Sequence, residues 1–173
     1  MNISLIGMMG SGKSTIGKIL QQKLEEYTFI DTDEEIIKSE NLSINEIFEQ
    51  KGEDYFREIE SKTLNLILEK KNQIISTGGG IIKRDKNIQN LKQNSLVIFL
   101  SADTNTLYER LKNNKDRPLL NSEDMKNKIE TLLKERIDKY KKAHIEINTT
   151  NKPTELITEE IIRELKNNEK NRC

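Results

Sequence analysis

Apolar residues in this chain follow two rhythms. Short unbroken runs at residues 3–6, 28–30, 73–76, 96–100 and 144–148 read as strands. Four of them are rich in Ile, Val, Leu and Phe without alternation, the pattern of parallel strands covered on both faces. Between the runs, apolar positions recur every three or four residues. Ile16, Ile19, Leu20 and Leu24 form one such stripe. A helical pair fills residues 43–70, entered by Ser43-Ile44-Asn45-Glu46 at capping-box spacing and broken at Gly52. Further helices are expected at about 85–92, 103–113, 122–142 and 154–167. Strand alternates with helix, so the default is an α/β fold with a doubly covered parallel sheet. No internal repeat or linker interrupts it. The expectation is one domain over residues 1–167 with a polar tail at 168–173, and everything after Lys166 (NNEKNRC) reads as too polar to be ordered.

Bulk properties narrow the function. At 173 residues the chain suits one such domain. Its 29 basic and 29 acidic residues cancel, which leaves no bulk footprint for nucleic acid or anionic lipid. No apolar run approaches the ~20 residues that span a bilayer. No signal-type segment is visible at the start. The single cysteine, Cys173, has no partner for an intrachain disulfide. A cytoplasmic protein with a small-molecule partner is expected, with no nucleic acid, no membrane and a monomeric state.

The first strand runs directly into Gly7-Met8-Met9-Gly10-Ser11-Gly12-Lys13-Ser14. That segment satisfies G-x-x-x-x-G-K-[ST], the P-loop, with an apolar strand before it and an amphipathic helix after it. Glycines such as Gly10 and Gly12 let successive backbone N–H groups turn toward phosphate oxygens, with Ser11 and Thr15 on the same cradle. The helix N-terminus adds its positive dipole end. Lys13 can reach the β- and γ-phosphates, and the Ser14 hydroxyl can hold Mg²⁺. A nucleoside triphosphate with Mg²⁺ is therefore expected here, and the family resemblance given below makes that nucleotide ATP.

Four further clusters bear on the acceptor. The second strand ends in Asp31-Thr32-Asp33, where one carboxylate could support the metal shell and the other an acceptor hydroxyl. A helix cap with a solvated acid explains the same letters. Arg57 lies one turn from Glu60 beside an aromatic residue, and its planar fork matches a carboxylate bidentately, although an ordinary surface pair has the same spacing. The third strand ends in Thr77-Gly78-Gly79-Gly80, a costly run unless a ligand lies against bare backbone. Arg110 precedes a polar loop carrying Arg117 ahead of Pro118, a candidate lid at about 111–121.

Taken in order and spacing, GMMGSGKST, DTD, GEDYFREIE, TGGG and DRPLL resemble the shikimate kinases, from residue 2 to about residue 165. The resemblance implies a three-layer P-loop kinase fold with strand order 2-3-1-4-5 and acceptor-binding helices at about 33–60. It implies that Asp33, Arg57, Gly79, Gly80 and Arg136 hold shikimate, the two arginines gripping its carboxylate. Asp31 matches the acid on the Mg²⁺ side, with Ser14. Lys13 and Arg117 match the groups that neutralise the transferring phosphoryl, and Arg110 the arginine that stacks on adenine. Lys152 falls in the loop past the adenine edge, where many relatives carry arginine. Lys13, Asp33 and Arg117 are thus the candidate catalytic residues.

Rival readings are weaker. Gluconate kinase, or a nucleoside monophosphate kinase, would share the P-loop but not the whole motif set. A GTP-dependent switch needs N-K-x-D, and the near misses at residues 114–117 and 151–154 lack the final acid. A binding module without catalysis has nothing to favour it, since every charged position that a kinase needs is filled. His144, alone at a strand start, reads as structural.

Overall fold

The computed structural model describes residues 1–112 and 124–170. Its centre is a five-stranded sheet of β1 (Asn2–Ile6), β2 (Thr28–Asp31), β3 (Gln73–Ser76), β4 (Ser95–Ser101) and β5 (Ile145–Asn148). All pairings are parallel and the order is β2-β3-β1-β4-β5, as the resemblance implies. Among the described residues seven helices connect and cover it: α1 (Lys13–Lys23), α2 (Thr32–Glu40), α3 (Ile44–Leu68), α4 (Asp85–Asn94), α5 (Thr104–Leu111), α6 (Met125–Tyr140) and α7 (Thr154–Lys170).

Alternation along the strands divides the core between two faces. Ile3, Leu5, Leu96, Ile98 and Leu100 pack with Ile16 and Leu20 of α1 and Ile157, Ile161 and Leu165 of α7. Ile6, Val97 and Phe99 turn the other way, onto Leu64 of α3, Ile88 and Leu91 of α4, Leu107 of α5 and Ile129 of α6. The unbroken apolar runs of β1 and β4 follow from this double cover, while β2 at the sheet edge stays partly exposed.

A third, smaller cluster lies apart from the sheet. Ile36 of α2 meets Ile47 and Phe56 of α3, with Leu42, Ile44, Phe48 and Ile59 around them. The α3 entrance is a complete capping box: Ser43 Oγ accepts from Glu46 N–H at 3.2 Å, and Glu46 Oε2 accepts from Ser43 N–H at 2.8 Å. Leu42 before the cap and Ile47 after it share the cluster, which makes a hydrophobic staple. Gly52 kinks α3 at φ 82°, where the sequence places the break.

Some boundaries differ from expectation. α5 and α6 are shorter than the spans 103–113 and 122–142. α7 runs on through Lys170, past Lys166, where loss of order was expected. Lys and Glu are good helix formers, and a basic residue in the last turn complements the helix dipole, so polarity alone does not end a helix. No helix among the described residues is long and apolar enough to cross a membrane.

Removing the α3 cap tests its share of stability. Ser43→Ala should cost about 1 kcal/mol and lower the urea midpoint without changing the slope. An unchanged midpoint would mean that the staple, not the capping box, holds this end.

Candidate active site

The carboxyl ends of β1 and β3 open into a crevice of about 690 Å³. Gly10 to Thr15, Asp31, Asp33, Gly79, Arg110 and Lys152 all line it. The phosphate side begins at Gly12, which caps α1 at φ 96°, a conformation that only glycine adopts readily. No side chain caps α1, whereas Asp31, Ser43 and Asp103 cap α2, α3 and α5. The start of α1 thus has no side-chain cap of its own and lines the crevice, where an anion would bind favourably. Lys13 is nearly buried, and its Nζ donates to the carbonyls of Gly7 and Met8, each at 2.9 Å.

Beside this cradle stand three oxygen-bearing side chains. Ser14 Oγ donates to Asp31 Oδ2 at 2.7 Å and lies 3.1 Å from Ser76 Oγ. Asp31 uses its other oxygen, Oδ1, to accept from Asp33 N–H at the start of α2. The helix-cap reading of the Asp-Thr-Asp segment is thus met by Asp31, whose other oxygen stays on Ser14. Hard oxygen donors in small number suit Mg²⁺, which keeps most of its shell as water and phosphate. No cluster of three or more His, Cys, Asp or Glu side chains able to hold a metal occurs among the described residues, so a cage supplied wholly by the protein is not what this site offers.

The acceptor side is built around the glycine turn after β3. Gly78 N–H donates to Thr32 Oγ1 at 3.0 Å. The Gly79 carbonyl accepts from Tyr140 Oη at 2.6 Å and from Arg136 Nη1 at 3.3 Å, both on α6. A Cβ on Gly78 would meet Asp33 Oδ1 at 2.8 Å and Glu60 Oε1 at 3.0 Å. At Gly80 an added Cβ would collide with the guanidinium of Arg57. Bare backbone is what lets these side chains converge. Gly80, Arg57 and Arg136 thus flank the turn, while Gly79 and Asp33 face the crevice itself.

Arg57 is fixed on most of its edges. Its Nε donates to Glu53 at 3.2 Å, its Nη1 donates to Glu60 at 2.8 Å, and its plane lies over the Phe56 ring at 4.9 Å. The surface ion pair with Glu60 that the spacing allows is in fact deeply buried, Glu60 being 0 % exposed. That placement has a sequence signal: Phe56, Glu60 and Leu64 share one apolar stripe, and a carboxylate on a core stripe is rare without a partner. Tyr140 has no such signal, since an aromatic residue on a buried face reads as packing.

On the far side, Arg110 is pinned between two loops. Nη1 donates to Gly10 O at 3.3 Å and Thr149 Oγ1 at 3.1 Å, and Nη2 donates to Thr149 O at 2.8 Å. These bonds hold the guanidinium by its edge. Lys152 lines the crevice but is engaged with Glu160 at 2.7 Å. His144 Nδ1 accepts from Val97 N–H at 3.0 Å, a structural bond between neighbouring strands. Arg117 and most of the expected lid lie outside the described residues.

Glu60 carries a pH signature. Burial raises its carboxyl above the ordinary 4.5, outweighing the opposing pull of Arg57, and Asp33 adds to the rise. The native state therefore holds this proton to higher pH than the unfolded chain. The associated stability is full below the ordinary value and is lost as pH climbs through the raised one. Urea melts from about pH 4 to about pH 8 should show Glu60→Gln gaining on the wild type as pH rises. A constant difference across that range would show the charge to be fully compensated by Arg57.

Comparison with known proteins agrees with the geometry. The family model described as shikimate kinase matches residues 9–166. The shikimate kinase of Sulfurihydrogenibium sp. (strain YO3AOP1) is 45% identical over 165 residues, covering 95% of this chain and 98% of that one. Among solved structures, a shikimate kinase from Acinetobacter baumannii in complex with shikimate matches with a TM-score of 0.91 at 35% identity, covering 96% and 93%. Another from Aquifex aeolicus matches with a TM-score of 0.84 at 41% identity, covering 97% and 98%. Phosphate cradle, glycine turn and the arginines around it coincide with a family match over nearly the whole length, and the chain belongs to the shikimate kinase family.

Proposed function

We propose that this chain transfers the γ-phosphoryl group of ATP to the 3-hydroxyl of shikimate, giving shikimate 3-phosphate and ADP. The observation that carries this reading is the glycine turn, which sets Asp33 of the crevice close to two arginines, Arg57 and Arg136. A hydroxylated ring acid needs both: a carboxylate acceptor for its hydroxyls and guanidinium donors for its own carboxylate.

The triphosphate lies across the uncapped start of α1, on the backbone of Gly10, Ser11 and Gly12 with Thr15 beside them. Lys13 leaves the carbonyls of Gly7 and Met8 to meet the β- and γ-phosphates. Adenine stacks on the anchored face of Arg110, with Lys152 at its edge. Ser14 and Asp31 would hold Mg²⁺, which neutralises phosphate charge when bound. Shikimate enters between Asp33 and the glycine turn, with Arg57 and Arg136 on its carboxylate and Gly79 and Gly80 against its ring. Asp33 accepts a hydrogen bond from the 3-hydroxyl and aims it in line with the bond to be broken. The new P–O bond forms as the bridge to the β-phosphate breaks; the hydroxyl proton passes toward Asp33 and out to solvent, and ADP leaves. Positioning and charge stabilisation supply most of the acceleration. On its sequence match alone, Arg117 is assigned to the transferring phosphoryl. An enzyme consuming ATP with these features is assigned to the cytoplasm.

ADP release across shikimate, quinate, gluconate and nucleoside monophosphates tests the acceptor, with turnover expected only on shikimate at useful rate. Equal turnover on gluconate would favour the other polyhydroxy-acid kinase. Lys13→Ala should lower kcat by about 100-fold or more with an unchanged circular dichroism spectrum. Arg57→Ala should chiefly raise the shikimate KM, by about tenfold or more, because its grip acts in ground and transition states alike. Arg117→Ala should instead cut kcat and spare shikimate affinity measured without nucleotide.

A further inference from the structure

Tyr140 lies in no motif, yet it is 0 % exposed and carries its hydroxyl to the centre of the acceptor side. Its ring stacks on Phe99 of β4 at 5.0 Å and 9°. From that position Oη donates to the Gly79 carbonyl at 2.6 Å, at the short end of the range for O–H···O bonds. Arg136 Nη1 reaches the same carbonyl at the looser distance of 3.3 Å. Glycine has no side chain to lock its torsions, so the peptide joining Gly79 to Gly80 needs an external hold.

We propose that Tyr140 is a positioning residue that locks the Gly79–Gly80 peptide and so presents the Gly80 N–H to the acceptor. A trans peptide is planar, with its C=O and N–H pointing in opposite directions. Binding the Gly79 oxygen to α6 therefore turns the Gly80 N–H away from α6. Flipping that peptide would take away the carbonyl oxygen to which both the phenol and Arg136 donate. Burial pushes the Tyr140 phenol up to about 12, so it stays protonated and remains a donor at any working pH. The division of labour then frees Arg136. With Tyr140 holding the carbonyl at the shorter distance, the guanidinium can turn to a substrate carboxylate without releasing the turn. This inference rests on the proposed shikimate reaction and names a residue acting through the backbone in it.

Tyr140→Phe keeps the ring and its stack while removing only the hydroxyl. Its kcat on shikimate should fall about tenfold, the loss of one buried hydrogen bond, with the KM for ATP unchanged. Phe99→Leu serves as the matched control. It loosens the stack but leaves the hydroxyl, and should lower the melting temperature while keeping kcat within about twofold. A direct readout is the Gly80 amide resonance, which should shift when shikimate and ADP saturate the wild type and should not shift in Tyr140→Phe. Should Tyr140→Phe fail to fold, the wild-type amide shift and the Phe99→Leu rates still decide the matter. A Gly80 amide that does not respond, a Tyr140→Phe enzyme with normal kcat, or a Phe99→Leu enzyme as impaired as Tyr140→Phe would each overturn the proposal. A wild type that fails to phosphorylate shikimate would instead overturn the proposed reaction.

Discussion

The acceptor half of this molecule depends on three consecutive residues having no side chains. Gly78, Gly79 and Gly80 form a strip of peptide thin enough for side chains from α2, α3 and α6 to touch it at once. Asp33 and Glu60 crowd Gly78, Arg57 lies against Gly80, and Tyr140 and Arg136 hold the carbonyl between them. One methyl group at Gly80 would displace the guanidinium that Glu53 and Glu60 hold in place. The entropy that such a run costs on folding is offset by the bonds that fix it: Thr32 below, α6 behind, and a short 3₁₀ turn at Ile81–Lys83 that closes it.

The donor half uses a different device. Two helices at the sheet's carboxyl edge, α2 and α5, begin on a capping side chain, Asp31 and Asp103. α1 does not, because Gly12 occupies the cap and offers nothing. A helix start without a side-chain cap is less favourable in the free protein and more favourable in a phosphate complex. Lys13 shows the same economy, its ammonium resting on the loop's own carbonyls. Arg110 joins that loop to Thr149 after β5, so both walls of the nucleotide side share one guanidinium.

Local chemistry was readable in advance, and long-range packing was not. The P-loop is contiguous, and its geometry follows from glycines, a lysine and a helix start, so eight letters suffice. The α3 entrance and the Gly52 break were legible for the same reason. Strand order is different: alternation of strand and helix implies a parallel sheet but not which strand lies beside which, and only the family resemblance supplied that order. The Arg57–Glu60 spacing could not say whether the pair was wet or dry, because three residues along a helix face look alike on either side until the core is located. Tyr140 was invisible as anything but packing, since its partner is a backbone carbonyl 61 positions away. At the end of α7, a run of polar residues looked like a tail because composition was weighed over helix propensity.

Ile36, Ile47 and Phe56 form a core separate from both faces of the sheet. The small body they hold together carries Arg57 and closes one side of the acceptor pocket, while the phosphate cradle is anchored to the sheet. Ile36 shares α2 with Asp33, and the Arg57 guanidinium lies over the Phe56 ring, so packing inside this body bears directly on both side chains. The phosphate cradle rests on the sheet's own core, and distant, unshared contacts couple only weakly. The two cores thus divide the fitting of an acceptor from the gripping of phosphate.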